Sequence, residues 1–310
     1  MGPNEHCPVL LAEAIDALNV QRDETYIDCT FGRGGHSREI LKRLGKNGRV
    51  LAFDRDPDAI AAARMIAALD NRLEAIQSCF SDLGKSVEQA KLSRQISGVL
   101  FDLGVSTPQL RTAHRGFSFQ HDGPLDMRMD PGSGQTAAEW LASATVDEIA
   151  QILRDYGELK GSRRLARRIC KAREQKALTS TGALAQLMVE AIPRRRGDLH
   201  PATKVFQAIR IHINGELQRL ENGLHAAVDA LAPKGRVVVI SFHSLEDRIV
   251  KRFMRDSVRG DAFPPRMPVT ADLITPKLFI RGRAQRPSSI EIDDNPQARS
   301  AVLRVAERTA

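Results

Sequence analysis

Three acidic residues each end a β-prone run in the first third of the chain, and their carboxylates are the first candidates for chemistry. They are Asp28, Asp54 and Asp102. Ligands of open α/β sheets bind at the carboxyl ends of parallel strands, so the three side chains are expected to meet at one sheet edge. Phe80 lies just beyond another such run, residues 73–76, and adds an aromatic face to that edge. The pattern indicates a ligand pocket.

A glycine-dense turn, residues 32–35, follows Asp28 and opens into a helix-compatible run from Arg38. Glycines let the backbone approach a ligand closely, and a helix N-terminus offers unpaired N–H groups, so the pattern favours a nucleotide site. Ser37 stands where the dinucleotide fingerprint has its third glycine. Asp54 can accept the hydroxyls of a ribose, which suits adenosine cofactors, including S-adenosylmethionine. A nicotinamide dinucleotide remains an alternative on spacing alone.

Several long segments of the chain resemble the motifs of the bacterial small-subunit ribosomal RNA cytosine-N4 methyltransferases. These segments are residues 28–37 (DCTFGRGGHS), 101–110 (FDLGVSTPQL), 115–119 (RGFSF), 122–130 (DGPLDMRMD), 200–210 (HPATKVFQAIR) and 241–248 (SFHSLEDR). The similarity extends from His6 to about Arg308. It implies an enzyme that transfers a methyl group from S-adenosylmethionine to the N4 amine of a cytosine in ribosomal RNA.

The resemblance also implies which residues form the site. The expected cofactor contacts are Gly34, Gly35, His36, Asp54, Phe80, Asp102 and Gln109. Asp102 is also the first catalytic candidate, at the junction of the cofactor and the target amine. His243 follows the fifth predicted strand and is the second, as a base or a substrate contact. Two alternatives stay open: Phe80 as an ordinary core residue, and His243 as the organiser of a turn.

Two segments depart from related patterns. Residues 102–105 read Asp-Leu-Gly-Val, whereas many DNA amino-methyltransferases carry an Asp-Pro-Pro-Tyr motif whose tyrosine stacks on the base. Phe117, Phe119 and His243 are the options for replacing that stacking. Gly161 stands where the family usually has an aromatic residue, and it is expected to delay or fray the helix that follows. His6, near the N-terminus, is interpreted as structural.

The order of the patterns predicts an α/β protein with a Rossmann-like methyltransferase sheet. Helical patterns without strands fill the middle of the chain, and a fifth strand follows at residues 236–240. We therefore expect an inserted all-helical substrate-recognition domain at residues 109–212. The cofactor-binding domain would then be discontinuous, residues 1–108 and 213–310. Two final strands are expected to form an antiparallel pair, as is common in methyltransferases.

Charge is distributed unevenly along the 310 residues, whose net charge is +8. Residues 154–210 carry a net charge of +9 and residues 248–286 carry +7, so the remainder is acidic. Two basic segments on an otherwise acidic protein indicate a site for a polyanion. Small-subunit ribosomal RNA, free or in a partly assembled subunit, is the partner that the resemblance implies, and a homodimer is left open. A non-catalytic RNA-binding or assembly factor would also explain the charge.

The remaining composition narrows the class of protein. No apolar run approaches the roughly 20 residues of a membrane span, and the N-terminus does not resemble a secretory signal. The four cysteines are scattered, which favours free thiols in a reducing cytoplasm. The eight histidines show no metal-ligand spacing, so no metal site is expected.

Overall fold

The computed structural model describes residues 8–193, 199–260 and 275–310. His6, Cys7 and Arg194–Arg196 lie outside these ranges. The strands are β1 (Thr25–Asp28), β2 (Arg49–Asp54), β3 (Leu73–Gln77), β4 (Ile96–Asp102), β5 (Leu231–Ser241), β6 (Leu278–Ile280) and β7 (Val302–Arg308).

The helices follow the periodic apolar stripes of the sequence. They are α1 (Leu11–Leu18), α2 (Gly35–Arg43), α3 (Pro57–Ala67), α4 (Leu83–Gln89), α5 (Thr107–Arg111), α6 (Ala137–Ser143), α7 (Val146–Asp155), α8 (Ser162–Gln175), α9 (Thr181–Ala191), α10 (Ala202–Asn214), α11 (Glu216–Ala230), α12 (Ser244–Arg259) and α13 (Ser289–Asp294). None of the helices within the described ranges is long and apolar enough to cross a bilayer.

Contacts within the chain divide it into two compact units. The first comprises Met1–Gly104 and Leu217–Ala310, and the second comprises Val105–Glu216. The expected insertion was residues 109–212, so each observed boundary lies four residues outside the expected one. The helical unit is thus inserted in sequence between β4 and β5.

The first unit contains a seven-stranded sheet in the order β3-β2-β1-β4-β5-β7-β6. Strands β1 to β5 pair in parallel, and β7 pairs antiparallel with both β5 and β6. The sheet order, with its antiparallel final pair, is the Rossmann-like methyltransferase arrangement that the sequence predicts. Because β1 lies between β2 and β4, the ends of these three strands are neighbours, as expected for Asp28, Asp54 and Asp102.

Both faces of this sheet are covered, which explains why its strands are continuous apolar runs rather than alternating ones. One face buries Ile27, Phe53 and Phe101 with residues of α4, α11 and α12. The other buries Tyr26 and Leu100 with residues of α1, α2 and α3. The buried strands form a rigid support for the side chains and loops at their carboxyl ends.

The second unit has its own core, formed by helices α6 to α10 together with Leu125 and Met127 of the preceding loop. Thr136 and Thr145 begin α6 and α7 as capping boxes with Glu139 and Glu148, as their spacing predicts. Gly161 adopts φ 74° immediately before α8, so that helix starts only after it, in agreement with the predicted delay.

Some boundaries differ from the sequence-based expectations. Helix α2 begins at Gly35 rather than Arg38, because Gly34 at φ 76° starts the helix inside the glycine turn itself. The long helical pattern before β5 is two helices, and Gly215 at φ 58° separates them. Strand β5 already begins at Leu231, with a register irregularity against β4 before Gly98. The segment that follows β4 contains the short helix α5.

Candidate active site

The glycine turn after β1 is attached to the neighbouring strands by its own backbone. Phe31 N donates to Phe53 O on β2 at 2.9 Å, and Gly32 N donates to Asp54 Oδ2 at 2.9 Å. On the other side, Thr30 Oγ1 accepts from Asp102 N at 2.7 Å. The turn is therefore held between the ends of β2 and β4, where the expected ligand edge lies.

Gly34 and Gly35 are required in this turn for two different reasons. Gly34 has φ 76°, and a Cβ there would lie 2.5 Å from the Phe31 ring. At Gly35 a Cβ would lie 2.2 Å from Pro8 Cγ, so the absence of a side chain permits close packing of the N-terminal segment. Gly34 is the N-cap of α2 and Gly35 is its first residue, and the role of both as cofactor contacts stays a prediction.

Asp28, which the sequence places at the ligand edge, forms a buried pair with Ser37 that the sequence reasoning did not foresee. Ser37 Oγ donates to Asp28 Oδ2 at 2.7 Å, and Thr30 N donates to Asp28 Oδ1 at 3.1 Å. Burial raises the pKa of Asp28 to about 6, and the nearby carboxylate of Asp54 adds to the shift. The sequence contained a clue to this pair, because Ser37 stands in place of the third glycine of the dinucleotide fingerprint and follows Asp28 by nine residues. Ser37 explains why this position is not glycine, because its hydroxyl holds the acid.

Asp54 lies at the end of β2 as expected, with both carboxylate oxygens facing backbone donors. Oδ2 accepts from Gly32 N, and Oδ1 accepts from Asp56 N at 2.9 Å. A carboxylate has about four acceptor positions, so capacity for ribose hydroxyls remains. Burial raises the pKa of Asp54, and the hydrogen bonds from the backbone of Asp56 and Gly32 oppose that shift. The arrangement suits the predicted ribose contact, which stays a prediction.

His36 and Asp102 come together from α2 and β4. His36 Nδ1 lies 3.6 Å from Asp102 Oδ2. Burial lowers the pKa of His36 to about 4, against a hydrogen bond to the backbone of Val9 that raises it. The pKa of Asp102 is raised well above its ordinary value by burial, and further by Asp28 and Glu246. The histidine is consequently neutral near pH 7 and does not offset the acid.

Two buried atoms of this pair face the site without a hydrogen-bond partner in the described structure, His36 Nε2 and Asp102 Oδ1. Buried polar groups are nearly always hydrogen-bonded in proteins, so such atoms point to a ligand. The surrounding carboxyl groups favour a cation, because each raises the pKa of a neighbour. S-adenosylmethionine carries positive charge on its sulfur and its amino group, and these residues fit it.

Phe80 sits on a single 3₁₀ turn just after β3. Its ring meets that of Phe101 edge to face, with centroids 5.5 Å apart, and a Cβ at Gly223 would lie 2.7 Å from it. The side chain is only partly buried. Phe80 is therefore attached to the core while keeping an exposed part, so contact with adenine stays a prediction compatible with its packing.

His243 organises the start of α12, which is the alternative that the sequence left open. Its Nδ1 accepts from Glu246 N at 3.3 Å, while Glu246 Oε2 accepts from Phe242 N at 2.8 Å. The other ring nitrogen, Nε2, lies 3.1 Å from Glu246 Oε1. Glu246, 3% exposed, was missed by the sequence reasoning, although its spacing from His243 is that of a capping box. A catalytic role for His243 stays a prediction.

The remaining candidates belong to the helical unit. Gln109 has a local structural role, since its Oε1 accepts from Ser106 N at 2.8 Å in the capping box of α5. Phe117 is 6% exposed and packs in the core, which leaves little ring surface for a base. Phe119 is only partly buried, and its ring stacks on His200 with centroids 4.5 Å apart. Of the two phenylalanines, Phe119 is the better stacking candidate.

Known proteins resemble this chain over nearly its full length. The model of the MraW methylase family matches residues 3–309. A protein named ribosomal RNA small subunit methyltransferase H from Nitrosococcus oceani is 54% identical over 306 residues, which cover 98% of this chain and 97% of that protein. The protein of the same name from Thiobacillus denitrificans is 53% identical over 307 residues, 98% of this chain and 97% of that one. A solved rRNA methylase from Streptococcus thermophilus aligns with a TM-score of 0.44 at 11% identity, covering 99% of each chain.

Proposed function

The chain belongs to the MraW methylase family and is an S-adenosylmethionine-dependent methyltransferase of small-subunit ribosomal RNA, and we propose that it methylates the exocyclic N4 amine of a cytosine. The observation that carries the proposal is the group of carboxyl side chains beside the glycine turn, at the ends of β1, β2 and β4. Their raised pKa values favour a cationic ligand. The alternatives of a nicotinamide oxidoreductase and of a non-catalytic RNA-binding factor do not fit this family.

The cofactor would be held by the glycine turn and the two flanking strands. Gly34, Gly35 and His36 would face its methionine end, Asp54 its ribose and Phe80 its adenine. When bound, S-adenosylmethionine supplies an electrophilic methyl group on a positively charged sulfur. We expect Asp28 to act through charge, because a nearby cation favours its ionised form.

Asp102 would receive the hydrogen of the target amine. The cytosine N4 lone pair is delocalised into the ring, so the amine is a poor nucleophile and has to lose a proton as the new N–C bond forms. Asp102 Oδ1 has no partner among the described residues, so it can accept this hydrogen. A raised pKa makes Asp102 a stronger proton acceptor than an ordinary carboxylate. The backbone of Asp102 is fixed by Thr30, which limits the movement of the acceptor.

The helical unit would bind RNA through one face of α8. Arg167, Arg168 and Lys171 are exposed on this face, and none of them forms an ion pair within the described part of the chain. Arg163, by contrast, pairs with Asp147 at 2.9 Å. Lys171 lies one helical turn after the two arginines, and exposed cations so grouped suit the phosphates of a nucleic-acid backbone, which position an RNA without reading its bases. The proposed role of the helical unit in substrate recognition rests on this face of α8. If the substrate is ribosomal RNA, the enzyme would act in the cytoplasm.

Nucleoside mass spectrometry tests the proposal directly. The purified protein is incubated with S-adenosylmethionine and either free small-subunit RNA or a partly assembled subunit, and the RNA is then digested to nucleosides. N4-methylated cytidine is expected from one of the two substrates, and the Asp102→Asn protein serves as the control. Methyl groups found only on carbon 5 of cytosine, or on ribose 2′ oxygens, would contradict the proposed site of transfer.

A further inference from the structure

The start of α1 is held by a residue from the far end of the chain. Leu10 N donates to Glu291 Oε1 at 2.7 Å, across a sequence separation of 281 residues. Leu10 is fully buried and has φ 53°, in the left-handed region that leucine rarely adopts. Such a conformation persists only where the surroundings enforce it. The Glu291 carboxylate helps to hold Leu10 in this conformation, because it accepts a charge-assisted hydrogen bond from the backbone N–H of Leu10.

Residues 8–10, which we call the N-terminal clasp, lie directly on the glycine turn. The Pro8 ring packs on Gly35 so closely that a Cβ there would lie 2.2 Å from Pro8 Cγ. The backbone of Val9 lies close enough to His36 to raise the pKa of its ring. The three residues of the clasp thus contact Gly35, His36 and Glu291 in turn. Their positions determine the positions of the first residues of α2.

Glu291 lies far along the chain from the residues of the glycine turn. It lies in the first turn of α13, where Ser288 Oγ accepts from its backbone N at 3.2 Å. The neighbouring acid on this helix, Asp293, is exposed. The Glu291 side chain connects α13 to Leu10 by this hydrogen bond. This long-range contact would be unnecessary if α1 only had to pack on the sheet, because Leu10, Ala14, Ile15 and Leu18 already bury its apolar face.

We propose that Glu291 is a positioning residue for the cofactor site: through Leu10 it seats the N-terminal clasp against Gly35 and His36, and so orders the start of α2 for S-adenosylmethionine. The inference rests on the proposed function, since it assigns the glycine turn to that cofactor. A loosened clasp leaves the turn to be ordered when the cofactor binds, which lowers affinity. The chemical step at saturating cofactor is not altered, because Asp102 Oδ1 has no hydrogen-bond partner among the described residues, the clasp and Glu291 included.

The test compares Glu291→Ala with Glu291→Gln and with the matched control Asp293→Ala. Calorimetry with S-adenosylmethionine should show affinity about tenfold weaker in Glu291→Ala, as expected for loss of a hydrogen bond to a charged group. Glu291→Gln keeps an acceptor oxygen and should recover most of the affinity, and Asp293→Ala should match the wild type. The KM for the cofactor should rise in parallel in Glu291→Ala, while kcat stays unchanged.

Hydrogen exchange of the cofactor-free protein gives a readout that does not depend on activity. Glu291→Ala should increase exchange in residues 8–12 and at the start of α2, while the strands remain protected. Pro8→Ala, which removes the ring from Gly35 without touching α13, should weaken cofactor binding in the same direction. If Glu291→Ala does not fold, Pro8→Ala still tests the proposal.

The inference is overturned if Glu291→Ala and Pro8→Ala both bind S-adenosylmethionine as the wild type does, or if kcat falls as much as kcat/KM. A wild-type protein that fails to bind S-adenosylmethionine would instead overturn the proposed function. The two failures are therefore distinguishable in the same calorimetric series.

Discussion

His36 Nδ1 lies 3.6 Å from Asp102 Oδ2, yet the two side chains do not form an ion pair near pH 7. Burial lowers the pKa of the histidine to about 4, so its ring is neutral, while burial and two other acids raise the pKa of Asp102. The neutral His36 supplies no positive charge to these acids, whereas a cationic cofactor would supply it. The electrostatics of the site are thus complementary to a cationic cofactor rather than internally balanced.

Cofactor affinity should depend on pH through Asp28. Its pKa in the free protein is raised to about 6, and a bound cation favours the ionised carboxylate and so lowers that pKa. Binding should therefore release protons near pH 6, and affinity should fall as the pH drops below about 6, by up to about tenfold per pH unit. The same shift means that Asp28 stabilises the free protein at low pH and that this contribution is lost as the pH rises through about 6.

Calorimetry in buffers of different ionisation enthalpy measures the released protons. Asp28→Asn should abolish most of the release, since the substituted side chain does not titrate. If the wild-type protein takes up protons on binding, or neither takes up nor releases them, the electrostatic account of the site is wrong.

Replacing Asp54 should weaken cofactor binding. Asp54→Ala removes a charge-assisted acceptor for the ribose hydroxyls, a loss of about 1.5–3 kcal/mol of binding free energy. The same change removes the acceptor for Gly32 N, so Asp54→Asn, which keeps one oxygen, serves as the comparison. Binding of S-adenosylmethionine is measured for both by calorimetry. Unchanged affinity in Asp54→Ala would exclude Asp54 as the ribose contact.

Asp102→Asn should slow methyl transfer by about a hundredfold or more, as is typical when a positioned polar group is lost from catalysis. The substitution keeps the volume but replaces an acceptor oxygen with a donor group. Single-turnover methylation with saturating cofactor and RNA measures the chemical step free of binding effects. The melting temperature should not fall, because burial disfavours the charged form of Asp102 and asparagine carries no charge. Near-normal turnover in Asp102→Asn would show that the Asp102 carboxylate is not needed for the chemical step.

Substitutions of His243 separate its two candidate roles. His243→Ala removes the N-cap of α12 and should cost about 1 kcal/mol of the free energy of unfolding. His243→Asn restores a cap acceptor without an imidazole. If His243 also contacts the substrate, methyl transfer at limiting RNA should stay low in His243→Asn although stability recovers. Recovery of both stability and transfer would assign His243 to the helix cap alone.

Neutralising the exposed face of α8 should weaken RNA binding and leave cofactor affinity unchanged. Arg167→Gln with Arg168→Gln should flatten the dependence of log K on log salt by roughly 0.7–0.9 per lost phosphate contact. Arg163→Gln is the matched control, because the Arg163 guanidinium already pairs with Asp147. RNA binding is titrated at several salt concentrations. An unaltered slope in the double variant would show that these cations are only solvated.

Local patterns in the sequence were sufficient for most of the fold and for the edge where the site lies. The runs that end at Asp28, Asp54 and Asp102 predict three adjacent strands, and the structure confirms their order. Such strands can be recognised in a sequence because short parallel strands buried on both faces must be apolar throughout. The capping boxes at Thr136 and Thr145 were also correct, since a capping box depends on residues only three positions apart.

Contacts between distant residues were decided only by the tertiary structure. The sequence could not show that Glu291 would hold Leu10, because a hydrogen bond across 281 residues leaves no periodic pattern. Nor could it show the neutral state of His36, which depends on how completely the ring is buried and on the acids that β1 and β4 bring near it. Spacing along the chain determines local geometry. Burial and charge at a site depend on which strands and helices pack together, and that is a property of the folded chain alone.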